Sequence, residues 1–172
     1  MPTLISRDQA LQQIRAEGGQ PSCLMCSIID RQVGPVYAIH EDTSSLVMLP
    51  RYVRRWGHVM IVPKKHITNF TAASAPLWAE TSALAHRSAQ MVEAVMKPRR
   101  CYMASTGSSA GELTQTSRHL HVHIIPLYTA DDKPSDIFSW SAGVYVGEPE
   151  EWRELQRRYV DAWAHLVEST TL

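Results

Sequence analysis

Three histidines, His119, His121 and His123, alternate with apolar residues in the sequence. In an extended strand successive side chains point to opposite faces, so this spacing predicts that the three imidazoles share one face while the aliphatic side chains point into a core. The alternation stops at Pro126, a residue that cannot donate to a strand ladder. The run therefore predicts a strand over residues 119–125 that aims three imidazoles at a common site.

The rest of the chain divides into short β-rich stretches and amphipathic helical ones. Ser74 and Pro76 are typical of a helix start, and apolar residues recur at helical spacing from there to Lys97. Pro149 opens a last helical stretch. The β-rich stretches cover residues 36–40, 46–49, 58–62 and 101–104. Strands gathered around one long central helix predict an α+β fold with an antiparallel sheet, not an alternating parallel one.

The length of 172 residues suits one domain of ordinary size. A capping-box pattern at Ser6 begins a short helix that ends at two glycines. We therefore expect residues 1–20 to form an N-terminal helical extension and residues 21–128 to form the main domain. Residues 129–172 are then expected to be a C-terminal extension with a helix.

Charge and cysteine content restrict the partners and the compartment. The 17 basic side chains balance the 17 acidic ones, so no whole-molecule field would draw the protein to nucleic acid or to an anionic membrane. The cysteines Cys23, Cys26 and Cys101 cannot all pair, and a Cys-x-x-Cys spacing favours metal or redox chemistry over a structural disulfide. We expect a cytoplasmic protein that acts on a small molecule and has no nucleic-acid or membrane partner.

The histidine run alone admits three interpretations. One is a polar stripe on a solvated face. A second makes the histidines metal ligands, but the outer two lie roughly 13 Å apart on a strand, so at most two neighbours could share an ion. The third is nucleophilic catalysis on phosphorus, in which a neutral imidazole attacks and leaves a phosphorus–nitrogen bond that water later hydrolyses. A pKa near about 6.5 keeps a neutral imidazole available at neutral pH.

Three sequence blocks together resemble the histidine-triad (HIT) family. The central block runs from Gln115 to Pro126 and is similar to the family signature, a Gln and Ser/Thr followed by His-φ-His-φ-His-φ-φ with φ apolar. A Cys-x-x-Cys block at Cys23 and a Gly-His-hydrophobic-Pro-Lys-x-His block ending at His66 precede it. The resemblance implies a five-stranded antiparallel sheet with a long central helix. It also implies a homodimer in which two sheets join into one.

The resemblance implies nucleotidyl chemistry as well. Family members hydrolyse or transfer nucleotidyl groups from dinucleoside polyphosphates, nucleoside phosphoramidates or adenylated compounds through a covalent nucleotidyl-histidine. Carried over by position, His121 is the nucleophile, and His123 and Gln115 contact the phosphate or leaving group. Thr116 supplies a hydroxyl to the same group. The loop upstream offers backbone N–H groups and hydroxyls to the developing charge, and its expected substrate-binding residues are Gly107, Ser108 and Ser109.

Members with the paired cysteines bind zinc, so the resemblance implies a structural zinc ion. The implied ligands are Cys23, Cys26, His66 and His119. Two thiolates and two imidazoles make a closed tetrahedral set, which would staple the N-terminal segment to the catalytic strand and fix the position of His121. His58 and His40 are fallback ligands, although the Gly-His step at His58 looks structural. The alternative for the cysteines is a pair of small buried hydrophobes.

The match to the family fails in a few places. In nucleotide-binding relatives an Asp or Asn seven residues before the Gly of the Gly-His step holds the ribose hydroxyls, and here that position is Pro50, which has no side-chain acceptor. Thr114 stands where a glycine normally precedes the glutamine, in a loop longer than usual. The following arginines, Arg51, Arg54 and Arg55, could meet phosphate, but an arginine run in a loop is more often a solvated surface.

We therefore expect an enzyme, a HIT-type nucleotide hydrolase or transferase that acts on the α-phosphate of a nucleotide. A zinc-stabilised nucleotide-binding or interaction module without turnover is the alternative, and Pro50 and the altered loop favour it. A metal-dependent hydrolase with zinc on His121 and His123 is a third hypothesis, which lacks a carboxylate ligand at an obvious spacing. The tail from Asp131 onward, with Trp140, matches nothing in the family and is expected to shape substrate choice or the dimer interface.

Overall fold

A computed structural model of the chain describes residues 1–18, 23–105 and 117–170. In chain order the strands are β1 (Thr3–Ile5), β2 (Tyr37–Glu41), β3 (Ser45–Leu49), β4 (Val59–Pro63), β5 (Arg100–Ala104), β6 (Val122–Leu127) and β7 (Val144–Val146). The helices are α1 (Arg7–Gly18), α2 (Leu24–Ile29), α3 (Ala75–Met96), α4 (Pro134–Phe138) and α5 (Pro149–Thr170). Five strands form one antiparallel sheet in the order β2-β3-β4-β6-β5, which confirms the predicted α+β fold with its five-stranded antiparallel sheet.

Both faces of the sheet are covered at its centre, where every residue of β3 and β4 is buried. Because successive strand residues point to opposite faces, β3 contributes to two cores. Val47 and Leu49 pack in the larger core, together with residues of α3 and α5. Leu46 and Met48 pack in a smaller core on the other face, beside α2. The sheet is therefore held between two long helices and one short helix.

The two long helices that cover one sheet face begin where the sequence signals predict. The Ser74 hydroxyl accepts a hydrogen bond from the Leu77 backbone at the start of α3, and α3 ends at Met96, followed by the C-cap Lys97, whose φ of 50° is left-handed. In α5 the side chains of Trp152, Tyr159 and Trp163 are buried in the larger core. The central helix and the C-terminal helix are both confirmed.

Two short strands that are distant in the sequence pair with each other, and the sequence does not predict this pairing. Strand β1 pairs with β7 as a two-stranded antiparallel sheet, with Thr3 opposite Val146. Helix α1 follows with the expected capping box, because the Ser6 backbone donates to Gln9 Oε1 at 2.9 Å and the Gln9 backbone donates to Ser6 Oγ at 3.2 Å. The pairing ties the segment before α1 to the segment before α5.

The strand that carries the histidine run differs from its prediction in both bounds. Strand β6 begins at Val122, so His119 and His121 precede the strand and only His123 lies in it. The prediction of three imidazoles on one strand face is therefore wrong. The strand also continues through Pro126 to Leu127. Pro126 lies opposite Cys101 of β5, but β4 pairs with β6 only as far as Ile124, so a proline nitrogen that faces the β4 side costs no ladder hydrogen bond.

Among the described residues, no helix is long and apolar enough to cross a membrane.

Candidate active site and metal cluster

A cavity of about 610 Å³ lies beside His121 and His123. Its walls come from the sheet, from α1 and α2, and from residues 137–140 at and after α4. A cavity of this size is in the range that binds small-molecule ligands. Two histidines of the run therefore face a ligand-sized space, and the sequence prediction of a common site holds for these two.

The carbonyl oxygen of His119 fixes the orientation of the His121 ring. The His121 Nδ1 atom lies 2.6 Å from that oxygen, and because a carbonyl only accepts, Nδ1 carries the proton. The lone pair is then on Nε2, and among the described residues no group hydrogen-bonds Nε2. The ring is only 6% exposed, so a reagent reaches it through the cavity and not from bulk solvent.

His58 makes the corresponding contact with His123. The His58 Nε2 atom lies 2.9 Å from His123 Nδ1, and the His58 Nδ1 atom is buried without a partner in the described part of the chain. A buried N–H without an acceptor is costlier than a buried lone pair without a donor, so we assign the proton of His58 to Nε2. His58 then donates to His123 Nδ1, and the proton of His123 is on Nε2.

The glycine before His58 has a backbone conformation that only glycine adopts freely. Gly57 has a φ of 90°, and a Cβ atom built there would lie 2.9 Å from the Tyr159 hydroxyl and from Met96. Tyr159 donates to the Gly57 carbonyl at 2.7 Å. These contacts hold Gly57 against Tyr159 of the core helix α5, and this fixes the position of His58, the next residue. The Gly-His step indicates a structural role for His58. The contact of His58 with His123 cannot be predicted from that step.

Burial keeps these imidazoles neutral. Burial lowers the pKa of His121, while the His119 carbonyl opposes the shift. Burial also lowers the pKa of His123 far below its usual value, with a smaller effect from the neighbouring His58 and His121. The pKa of His58 falls to about 3 because the ring is fully desolvated. At neutral pH the site therefore offers uncharged imidazoles, which is the nucleophilic form.

The third histidine of the run belongs to a separate cluster with Cys23, Cys26 and His66. The ligand atoms of these four residues all lie within 4.8 Å of one another. His119 Nδ1 lies 3.4 Å from each of the two sulfurs, and His66 Nδ1 lies 3.3 Å from Cys26 Sγ. The four residues that the resemblance implied as metal ligands are thus brought together, whereas His40 and His58 lie outside the cluster.

The donor set and its spacing fit a structural zinc ion. Zinc bonds of about 2.3 Å to sulfur and about 2.0–2.1 Å to nitrogen, in a tetrahedron, place sulfur and nitrogen ligands about 3.5 Å apart. The His119 Nε2 atom donates to the Pro63 carbonyl at 2.7 Å, which leaves Nδ1 unprotonated and facing the sulfurs. Cys23 caps α2 and accepts from the Cys26 backbone at 3.3 Å, so the helix cap fixes the position of the first sulfur.

The three loop arginines bind the two extensions of the chain. Arg51 pairs with Glu17 of α1, and Arg55 pairs with Asp132. Arg54 is only 7% exposed and donates to the backbone carbonyls of Asp136 and Gly143. The expectation of a solvated arginine run is wrong, because each guanidinium has an acceptor on a segment distant in sequence.

Several predicted site residues lie outside the described part of the chain. These are Gly107, Ser108, Ser109, Gln115 and Thr116, together with the unusual Thr114. Pro50 lines the cavity with Met48 and Met60, so the position of the family's ribose acceptor presents an apolar side chain here. The roles assigned to Gly107, Ser108, Ser109, Gln115 and Thr116 stay predictions.

The protein is thus an α+β domain in which neutral imidazoles face a cavity of the size that binds small molecules. The model of the HIT domain matches residues 31–130, more than half of the chain. The protein therefore belongs to the HIT family.

Relatives and solved structures agree with this assignment. An uncharacterized HIT-like protein of Mycoplasma genitalium is 29% identical over 108 residues, which are 62% of this chain and 74% of that protein. The structure of a hypothetical histidine triad nucleotide-binding protein of Sulfolobus tokodaii has a TM-score of 0.68 and 30% identity, and the match covers 84% of this chain and 93% of that one. A zinc-bound histidine triad family protein of Mycobacterium smegmatis shares the fold, with a TM-score of 0.66, 24% identity, and 86% and 97% of the two chains covered.

Proposed function

We propose that this protein hydrolyses or transfers nucleotidyl groups, with His121 as the nucleophile that attacks the α-phosphate. The observation that carries the proposal is the hydrogen bond from His121 Nδ1 to the His119 carbonyl, because it commits one ring nitrogen and leaves the lone pair of Nε2 for chemistry. Membership of a family that includes nucleotide-binding proteins supports the choice of substrate. Dinucleoside polyphosphates, nucleoside phosphoramidates and adenylated compounds are the substrate classes.

The proposed reaction has two steps. In the first, Nε2 of His121 bonds to phosphorus while the bond to the leaving group breaks, the electron pair of that bond goes to the leaving group, and neutral His123 donates a hydrogen bond from Nε2 to the leaving group or a phosphate oxygen. In the second, water attacks the same phosphorus and loses a proton to solvent, the phosphorus–nitrogen bond breaks with its electron pair returning to His121 Nε2, and the nucleoside monophosphate leaves. Gln115, Thr116, Gly107, Ser108 and Ser109 are proposed to hold the phosphate oxygens through donors that precede the histidines.

A structural zinc ion on Cys23, Cys26, His66 and His119 is part of the proposal. The zinc-bound relative of Mycobacterium smegmatis and the compact cluster of two thiols and two imidazoles support it. The ion would hold α2 against the segment before β6. Because the carbonyl that orients His121 belongs to the ligand His119, the same ion would keep the nucleophile in place.

We further propose that the protein forms a homodimer through the edge of its sheet. Strand β5 is at one end of the sheet and, among the described residues, pairs only with β6. Its residue Met103 is 54% exposed, and an unpaired edge with an exposed apolar side chain is a template for a second copy. Light scattering should give twice the chain mass of 19.4 kDa.

The activity is tested by steady-state hydrolysis of adenosine 5′-phosphoramidate and diadenosine polyphosphates. We expect AMP as a product, and His121→Asn should remove the activity while zinc content and melting temperature stay unchanged. His86→Asn is the matched control, because His86 is an exposed residue of α3 outside the cavity lining. Nucleotide binding without turnover in the wild type would favour the alternative of a binding module, which the apolar surface at Pro50 supports.

A further inference from the structure

The cavity beside His121 has walls that the matched family region does not supply. The family match covers residues 31–130, whereas Leu11 and Ile14 of α1, and Phe138 and Trp140 after β6, all line the cavity. These side chains are apolar and reach the cavity from both extensions of the chain. Apolar side chains from both sides of the matched region therefore line the cavity.

Several polar side chains of the described lining already bond to other groups of the protein. Glu17 is the only carboxylate among the described lining residues, and its two oxygens accept from Arg51 and from the Tyr52 hydroxyl. Arg54 gives its N–H groups to two backbone carbonyls. A ligand hydroxyl that bonds to Glu17 or Arg54 would have to displace these contacts, which costs free energy in a partly buried site.

The side chains between the imidazoles and the outer walls are also apolar. Met48 and Met60 line the cavity next to Pro50, and Ile28 of α2 lies along the same lining. Unbranched thioether side chains adapt to ligands of different shape and make favourable contacts with aromatic rings. The lining thus selects for apolar bulk, and a flat aromatic group suits it best.

We propose that this cavity binds a large apolar or aromatic group that the substrate carries on its phosphorus, without reading sugar hydroxyls. Ile14 and Trp140 are the specificity-determining residues, because they line the cavity from the two extensions. The pairs of Arg51 with Glu17 and of Arg54 with the Asp136 carbonyl hold these two walls in position. This inference rests on the proposed function for the site of the phosphorus, beside His121.

The test is isothermal titration of the full zinc-loaded chain with phosphate esters that lack a good leaving group. The ligands are methyl phosphate, 2-naphthylmethyl phosphate, AMP and 2′,3′-dideoxy-AMP. We expect 2-naphthylmethyl phosphate to bind at least tenfold more tightly than methyl phosphate, and AMP and its dideoxy analogue to bind within threefold of each other. Equal affinity for the two simple esters, or a tenfold preference for AMP over the dideoxy analogue, would overturn the inference.

Variants then assign the selectivity to the two walls. Trp140→Ala and Ile14→Ala should each weaken binding of 2-naphthylmethyl phosphate at least fivefold and leave methyl phosphate unchanged. Trp78→Ala is the matched control, because Trp78 is 40% exposed on α3 and does not line the cavity. The two wall variants are on different elements, so misfolding of one, detected by thermal melting, leaves the other as the test. Unchanged naphthyl binding in a folded variant would refute its role.

The binding measurement is independent of turnover. A protein that selects the naphthyl ester but hydrolyses no nucleotide would contradict the proposed function and support the apolar site. A protein that hydrolyses nucleotides but does not prefer the naphthyl ester would support the proposed function and contradict the apolar site.

Discussion

The nucleophile of the proposed reaction is oriented by the backbone of a metal-cluster residue, since His121 Nδ1 lies 2.6 Å from the carbonyl oxygen of His119. The His119 side chain turns the other way, with Nδ1 3.4 Å from the sulfurs of Cys23 and Cys26. One peptide segment thus serves the cluster with its imidazole and the active site with its carbonyl. Disturbing the cluster should therefore disturb the chemistry.

Zinc content gives the first prediction. We expect the purified protein to contain one zinc ion per chain, and Cys26→Ser to lose the ion, lower the melting temperature and reduce activity. Metal analysis and thermal melting measure the two effects. Cys101→Ser is the control, because Cys101 is half-buried in β5 and outside the cluster, so zinc content should not change. Zinc retained in full by Cys26→Ser would contradict the ligand assignment.

Zinc binding should not depend on the nucleophile His121. His121 is not part of the compact cluster, so His121→Ala should keep one ion per chain. This result would exclude the hypothesis of a catalytic zinc on His121 and His123. Loss of the ion in a folded variant would instead support that hypothesis.

His58 should act as a positioning residue for His123. His58→Leu removes the donor that orients His123, and we expect it to lower kcat/KM by about 10- to 100-fold, because a group misplaced by about 1 Å can cost about 100-fold in rate. His58→Gln places an amide near the Nε2 position and should recover part of the loss. A merely structural role would make the two variants equally active at equal stability. The pH profile of kcat/KM should change in His58→Leu and be restored in His58→Gln.

The buried His58 should also make stability depend on pH. Its pKa is about 3 in the folded protein, against 6.5 for an ordinary imidazole, so the unfolded chain takes up the proton first as the pH falls. Stability is then complete above about pH 6.5 and decreases from there toward pH 3, by up to about 1.4 kcal/mol per pH unit. Urea unfolding of wild type and His58→Gln measures it. Between pH 6.5 and 4.5 the free energy of unfolding should fall more in the wild type than in His58→Gln. Equal decreases in the two proteins would contradict the prediction.

Arg54 should hold the C-terminal extension to the domain. Arg54→Met removes a buried cation that donates to the carbonyls of Asp136 and Gly143, and we expect a loss of about 2–3 kcal/mol in the free energy of unfolding. Limited proteolysis should also cut residues 130–143 faster. Arg153→Met is the control, since the side chain is 64% exposed and its pair with Glu150 is worth little. Equal stability of the two variants would show that Arg54 does not anchor the extension.

Local signals in the sequence predicted most of the fold. The Ser74 cap and the capping box at Ser6 each mark a helix start through contacts within a few residues, and both are formed. The pairing of Thr3 with Val146 could not be predicted in the same way, because each strand has only three residues and the partners are 143 positions apart. Such pairs depend on the tertiary fold and not on a local pattern.

The site was predicted unevenly for a similar reason. The metal cluster was predicted through the resemblance to the HIT family, which implied two cysteines and two motif histidines as ligands, and the fold brings their ligand atoms within 4.8 Å of one another. The partner of His123 was not predicted, because His58 directly precedes the neighbouring strand β4 and the register between β4 and β6 is set by the sheet. Arg54 was assigned to solvent, because sequence cannot show which carbonyls a buried guanidinium will find.

Detection of the covalent intermediate tests the central claim most directly. The wild type is mixed briefly with adenosine 5′-phosphoramidate and quenched at alkaline pH, where a phosphorus–nitrogen bond survives better than in acid. Mass spectrometry of the digested protein then locates the label. We expect one adenylyl group on His121, and none on His121→Asn. Rapid AMP release with no adduct in the wild type, or with the adduct unchanged in His121→Asn, would contradict nucleophilic catalysis by His121.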